Sequence, residues 1–137
     1  MPSNQARIFI GYDTKEVLAY HVLTQSIIEH STIPVVVSPL VLSNLADVFT
    51  RERNALQSTE FSFSRFLVPY LSDYEGWSLF VDCDMLMRDD IAKLWALRDD
   101  KFAVMCVKHD YQPKVETKFL GQTQTKYEKK NWSSVML

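Results

Sequence analysis

Trp77-Ser78-Leu79-Phe80-Val81-Asp82-Cys83-Asp84 is the stretch that decides the fold. Its first five residues make a short apolar run, the mark of a strand buried on both faces. Two acids follow at its tip, separated by one small residue. In an extended segment residues two apart project to the same side, so Asp82 and Asp84 can face one ion while Cys83 turns away. A buried strand that delivers two acids at its end leaves unpaired charge unless solvent, a cation or a basic side chain meets them. Hard carboxylate oxygens suit Mg²⁺ or Mn²⁺, which bridge to phosphate oxygens and neutralise their charge. The chain has ten Asp in 137 residues, so a bare D-x-D is expected about 0.7 times by chance. The strand in front of the acids is the stronger signal.

Outward from this segment, strand-like and helix-like periods alternate. Upstream, Arg7-Ile8-Phe9-Ile10-Gly11 reads as a buried strand. Asp13 or Thr14 then caps a helix over about Lys15 to His30, with Ala19, Val22, Leu23 and Ile27 on its buried face. Ile33 to Val37 is a second strand, and a short helix is expected after Ser43-Asn44. Ser62 caps a helix from Phe63 to Leu71, with Phe63, Phe66, Leu67 and Tyr70 on one face and Pro69 expected to kink or end it. The turn Asp73-Tyr74-Glu75-Gly76 leads into the strand at 77–81. Downstream, a helix spans Asp90 to Leu97 with Ile91, Leu94 and Trp95 on one side. Phe102 to Val107 reads as a buried strand, residues 108–131 as a polar segment, and Trp132 to Leu137 as a terminal strand.

This alternation predicts an α/β sheet flanked by helices, in one domain over residues 1–137. Ligands of such sheets collect at the carboxyl ends of the strands. Gly11-Tyr12-Asp13, Asp82-Cys83-Asp84 and Lys108-His109-Asp110 all fall there. His21 and His30 sit on the first helix and are read as packing or surface residues, and His109 as structural.

Composition narrows the partners. Hydrophobic residues at 47% and charged residues at 23% match a folded globular domain rather than a disordered or fibrous chain. Fifteen Lys and Arg against seventeen Asp and Glu, with no basic block, argue against nucleic acid as a partner. No run is long enough for a transmembrane segment, and the N-terminus lacks a cationic flank before a long apolar stretch. Two cysteines without CxxC spacing point to reduced thiols and a cytoplasmic protein. The apolar end, Val135-Met136-Leu137, suggests a fragment or a chain completed by a partner, with a strand edge available for a homo-oligomer.

The order of these features resembles the glycogenin-like, family 8 type of retaining glycosyltransferases, which have a GT-A fold. The resemblance is carried by Arg65 in Phe63-Ser64-Arg65-Phe66-Leu67, by the strand with Asp82-Cys83-Asp84 and Met85-Leu86-Met87-Arg88-Asp89, and by Leu94-Trp95. Phe9-Ile10-Gly11-Tyr12-Asp13 before a helix is similar to that family's first strand and nucleotide-contacting loop. The likeness spans nearly the whole chain, strongest over 61–97 and weakest over 108–131.

The resemblance implies a GT-A (nucleotide-diphospho-sugar transferase, Rossmann-like) sheet that stops short of the family's acceptor part. It implies a UDP-sugar donor, Mn²⁺ (or Mg²⁺) between the donor diphosphate and Asp82 and Asp84, and transfer of a hexose to a saccharide or protein acceptor. Asp13 would contact the uracil, Tyr12 would pack on the base, and Gly11 belongs to the same loop. Arg65 would contact the acidic pair and the donor, making Arg65, Asp82 and Asp84 the catalytic set. Cys83 lies inside the nucleotide-binding segment, with a side chain that reads as a small buried hydrophobe. The family has an Asn-small-Gly step entering the strand that lines the sugar site. Here that place holds Trp132-Ser133-Ser134-Val135, so Ser133 and Ser134 would offer hydroxyls to the sugar. The family's late His metal ligand lies beyond residue 137.

Two rival readings differ in class. A haloacid-dehalogenase-like phosphatase also places D-x-D after an apolar strand, with the first Asp as nucleophile. Leu86 stands where that family carries Thr or Val, and too little chain follows Asp84 for its remaining motifs. The second rival is a non-catalytic nucleotide- and metal-binding half-domain.

Overall fold

The computed structural model describes residues 4–111, 121, 128–129 and 131–137. At its centre is β1 (Ala6–Gly11), whose Ala6, Ile8, Phe9 and Ile10 are all buried. A strand apolar on both faces needs a neighbour on each side and cover above and below. β2 (Val35–Leu40) pairs with it in parallel on one side, with Ala6 opposite Val35. β3 (Leu79–Val81) pairs in parallel on the other, with Ile8 opposite Leu79. β4 (Val135–Met136) lies antiparallel beyond β3, with Val81 opposite Val135. The order β2-β1-β3-β4 makes a mixed four-stranded sheet flanked by helices, the α/β class expected. β2 runs on to Leu40, past the expected end at Val37. The carbonyls of Pro34 and Leu40 face β1, so the amide position of Pro39 points to the free edge, where a proline costs no ladder bond.

α1 (Val17–Glu29) follows β1, and its burial corrects the expected face. Leu23, Ser26 and Ile27 are buried, whereas Val22 is 56% exposed. Leu23 and Ile27 join the core with Ile8, Ile10, Phe61 and Phe80. Full burial of such side chains is worth roughly 1.5–3 kcal/mol each. No side chain caps α1: Asp13 lies before the first turn, accepting the Lys15 amide on Oδ1 at 2.9 Å. A short 3₁₀ turn, Leu42–Leu45, stands where the short helix was expected.

The segment expected as one helix over 63–71 is two pieces, a 3₁₀ turn at Ser64–Leu67 and then α2 (Val68–Leu71). Its inward stripe is Phe61, Ser64, Arg65, Val68 and Ser72, while Phe66 and Tyr70 face solvent. The period was legible, but the phase was set by a buried arginine rather than by the aromatic side chains. Pro69 opens α2, where its missing N–H is not required. Ser62 does not cap; its hydroxyl bonds within the Thr59 turn.

α3 (Ile91–Trp95) is capped by Asp90, which accepts the Ala92 amide at 3.0 Å and also binds the Thr32 amide and hydroxyl just after α1. Ile91 and Trp95 are buried, as expected.

The expected strand at Phe102–Val107 does not form. Phe102, Val104 and Val107 are all more than half exposed, and contact with the sheet is made at Met105 and Cys106. Met105 and Leu137 exchange backbone hydrogen bonds of 2.7 and 2.9 Å, so the outer side of β4 is engaged there rather than left as the open edge the sequence suggested. Trp132–Ser134 is a 3₁₀ turn rather than strand. Most of the expected polar segment (112–120, 122–127 and 130) lies outside the described residues.

Gly11 ends β1 directly against the ring of Phe61. A Cβ there would lie 2.4 Å from Phe61 Cδ2 and 2.5 Å from Cγ. The ring is itself buried, so backbone or ring must move. Gly11→Ala is expected to cost roughly 1–3 kcal/mol by urea unfolding, and the cost should shrink when Phe61→Leu is added. A neutral Gly11→Ala, or additive effects in the double variant, would contradict this packing.

Candidate functional site

The topology itself makes a crevice. From β1 the chain passes to β2 on one side, then crosses back to β3 on the other. Connections that leave two adjacent parallel strands in opposite directions open a cleft at their carboxyl ends, where ligands of such sheets bind. Here those ends carry Gly11-Tyr12-Asp13 and Asp82-Cys83-Asp84.

Arg65 joins them from the 3₁₀ turn before α2. Its guanidinium lies 5.3 Å from the centre of the Phe61 ring and 5.1 Å from that of Phe80. A charge in such surroundings needs a partner, and Asp82 Oδ1 stands 3.0 Å from Nη1. Nη1 aims its hydrogen bonds elsewhere, at the Ser133 carbonyl (2.7 Å) and the Ser133 hydroxyl (3.2 Å), and Nε donates to the Phe61 carbonyl. Asp82 Oδ1 is therefore buried beside a cation yet has no hydrogen bond among the described residues. Burial raises the Asp82 carboxyl from the ordinary 3.8 to about 6. Arg65 and a hydrogen bond with Ser134 hold it down, and the negative charges of Asp84 and Glu16 push it further up.

The two acids are not aligned by strand alternation as expected. β3 stops at Val81, and Cys83 and Asp84 lie in a turn. Asp82 folds back onto Arg65 while Asp84 is exposed. Cys83 is fully buried, turned away as anticipated, and its thiol donates to Glu16 Oε2 at 3.2 Å. Burial, then the Glu16 carboxylate, pushes that thiol well above its usual range, as a small buried side chain held in its protonated form.

The β1 loop is held as firmly. Asp13 is 3% exposed, and beyond the Lys15 amide it accepts the Glu60 amide on Oδ2 at 3.0 Å. Both oxygens thus brace the loop, each with a lone pair to spare. Tyr12 is half-buried, edge-on to Tyr20. The hydroxyls of Ser133 and Ser134 are directed at Arg65 and Asp82, and the Ser134 carbonyl accepts the Asp82 amide at 2.9 Å. Both serines therefore build the acidic site rather than stand free for a sugar. The Ser26 hydroxyl accepts the Met87 amide, pinning the loop after Asp84 to α1. Sequence reasoning missed Glu16, Ser26 and Phe61, because nothing local marks a residue that supports a site from another element. His21 packs on the Tyr20 ring, His30 bonds the Ser26 carbonyl, and His109 accepts the Trp132 indole N–H on its carbonyl; none joins the acids.

Does this arrangement suit a divalent cation? Among the described residues no three His, Cys, Asp or Glu side chains gather as a ligand set. The chain supplies two carboxylates, the exposed Asp84 and Asp82, whose Oδ1 is paired with Arg65. That fits Mg²⁺ or Mn²⁺ of the kind held by one or two carboxylates, waters and substrate phosphate, and not an all-protein cage. Asp82 and Asp84 would hold the ion. A larger cleft of about 690 Å³ runs along β3 and β4, lined by Arg65, Trp77, Phe80, Asp100, Phe102 and Met136. Among the described residues no helix is long and apolar enough to cross a membrane.

Two outcomes follow from the burial of these groups. The folded Asp82 carboxyl titrates near 6 against 3.8 unfolded, so between those values the native state binds more protons and loses stability as pH rises. Asp82→Asn removes that loss. In EDTA, the unfolding free energy of Asp82→Asn relative to the parent should move in the variant's favour between pH 4 and 7.5, by at most about 3 kcal/mol. A flat or opposite difference would mean that Asp82 is not desolvated. Separately, a thiol reagent should modify the exposed Cys106 in the native protein and reach Cys83 only in denaturant; rapid native labelling of both would refute the packing at Cys83.

No family model matches the chain, and no solved structure does either. Among curated proteins the chain is similar to "Protein CDI" of Arabidopsis thaliana, 56% identical over 133 residues. That stretch is 96% of this chain and 51% of the relative, so the chain spans about half the length of the curated relative it matches.

Proposed function

We propose that this chain is the donor-binding part of a metal-dependent glycosyltransferase of the GT-A type, similar to the glycogenin-like family 8, using a nucleotide sugar, UDP-linked, as hexose donor. The observation that carries the reading is the buried Arg65–Asp82 ion pair, with Asp84 exposed two residues on, at the point where the β1 and β3 connections diverge. Mn²⁺ or Mg²⁺, when bound, supplies positive charge to the diphosphate leaving group. The chain's own residues do the positioning. Arg65 fixes the Asp82 carboxylate in one orientation through its contacts to Ser133 and the two rings, so little reorganisation is needed as charge develops on the diphosphate. Tyr12 offers a ring edge for the base, and Asp13 holds that loop still through the Lys15 and Glu60 amides.

A phosphatase would need Asp82 ionised and open as nucleophile. Its Oδ1 is instead held against Arg65, an arrangement that positions the carboxylate rather than freeing it for attack. The lack of a third ligand among the described residues favours, as second reading, a nucleotide- and metal-binding module without turnover.

A thermal-shift panel of UDP, GDP, CDP and ADP with and without Mn²⁺ tests the reading. Ligand at 100 times its Kd stabilises by about 2.7 kcal/mol, a readable shift. UDP with Mn²⁺ should give the largest rise, and Asp82→Asn with Asp84→Asn should remove the Mn²⁺-dependent part. Equal shifts from all four nucleotides, or an undiminished Mn²⁺ effect in the double variant, would sink the assignment.

A further inference from the structure

Beside the acidic pair, the crevice has a basic flank. Close to Asp13 in the chain opens a cleft of about 480 Å³, within the size range of small-ligand sites, walled among the described residues by Lys15, residues 53–58 and Gly121. Lys15 and Arg53 both line it, and among the described residues neither makes an ion pair. The nearby acids are committed elsewhere. Asp13 accepts the Lys15 and Glu60 amides, Glu16 accepts the Cys83 thiol, and Glu60 accepts the Thr14 hydroxyl. Asn54 spends its side-chain oxygen on the Leu56 amide, which leaves its NH₂ group, with the Ser58 hydroxyl, as further donors in the lining. Two cations and neutral donors facing one concavity repel one another until an anion enters, and they then make charge-assisted hydrogen bonds to it. Glu16, next after Lys15 in the chain, bonds the Cys83 thiol, which ties the segment that carries Lys15 to the loop after β3.

We infer that the cleft between Lys15 and residues 53–58 is a diphosphate-binding site, with Lys15 and Arg53 as its binding cations. For the nucleoside part of its ligand this rests on the donor reading above; for the anion it stands alone. Lys15 and Arg53 would then grip the donor diphosphate directly, without metal, while Asp82 and Asp84 act on it through a cation.

The test is calorimetric titration of the purified chain with inorganic pyrophosphate, and separately UDP, in EDTA at low salt. The variants are Lys15→Gln, Arg53→Gln, the pair together, and the exposed Lys101→Gln as a charge-matched control. Lys15 and Arg53 are exposed, so the variants should keep the parent's melting temperature. Pyrophosphate should bind the parent and Lys101→Gln alike, with the double variant weaker by about tenfold or more. No pyrophosphate binding by the parent up to about 10 mM, or equal binding by the Lys15/Arg53 double variant, overturns the site. Pyrophosphate binding with no added affinity for UDP upholds the site and counts against the nucleotide reading instead.

Discussion

Arg65 is the constraint around which this half of the structure is arranged. Its guanidinium lies between two buried rings, and a cation there requires a counter-charge and acceptors for its fixed fork of donors. Asp82 supplies the charge, the Ser133 and Phe61 carbonyls supply acceptors, and through them the 3₁₀ turn, the end of β3 and the approach to β4 are held together. Removing one partner of such a pair costs several kcal/mol because it strands the other.

The crevice is a product of strand order. Either order about β1 would satisfy the apolar patterns of β2 and β3; placing them on opposite sides puts Asp13 and Asp82 at neighbouring strand ends. Residues distant in the chain are then cross-linked through small contacts: Glu16 to Cys83, Ser26 to Met87, Thr32 to Asp90. Each ties the loop after β3 to the segment around α1.

Much of this was legible in the sequence, and the failures share a cause. Continuous apolar runs gave β1 and β3, and Asp90 before Ile91 gave the start of α3. Where the buried stripe contains polar residues, apolar periodicity misleads. The aromatic side chains over 63–70 suggested the wrong face because Ser64 and Arg65 occupy the right one. Phe102–Val107 has the composition of a strand, yet it has only a two-residue neighbour to pair with. Arg65 stood out only through its family resemblance, as no local pattern separates a buried arginine from one on a surface helix. Lys15 and Arg53 left no trace at all, since isolated basic residues are ordinary until a fold brings them to one cleft.

β4 joins β3 where the Asp82 amide donates to the Ser134 carbonyl, one residue from the Ser133 acceptors of Arg65. The proton affinity of Asp82 and the docking of β4 are therefore linked variables: a change in the charge of the acid alters its hold on Arg65 and Ser134, and with it the contact that keeps β4 against β3. Amide exchange at Asp82 itself, whose N–H is spent on that contact, becomes a readout of the electrostatic state of the site.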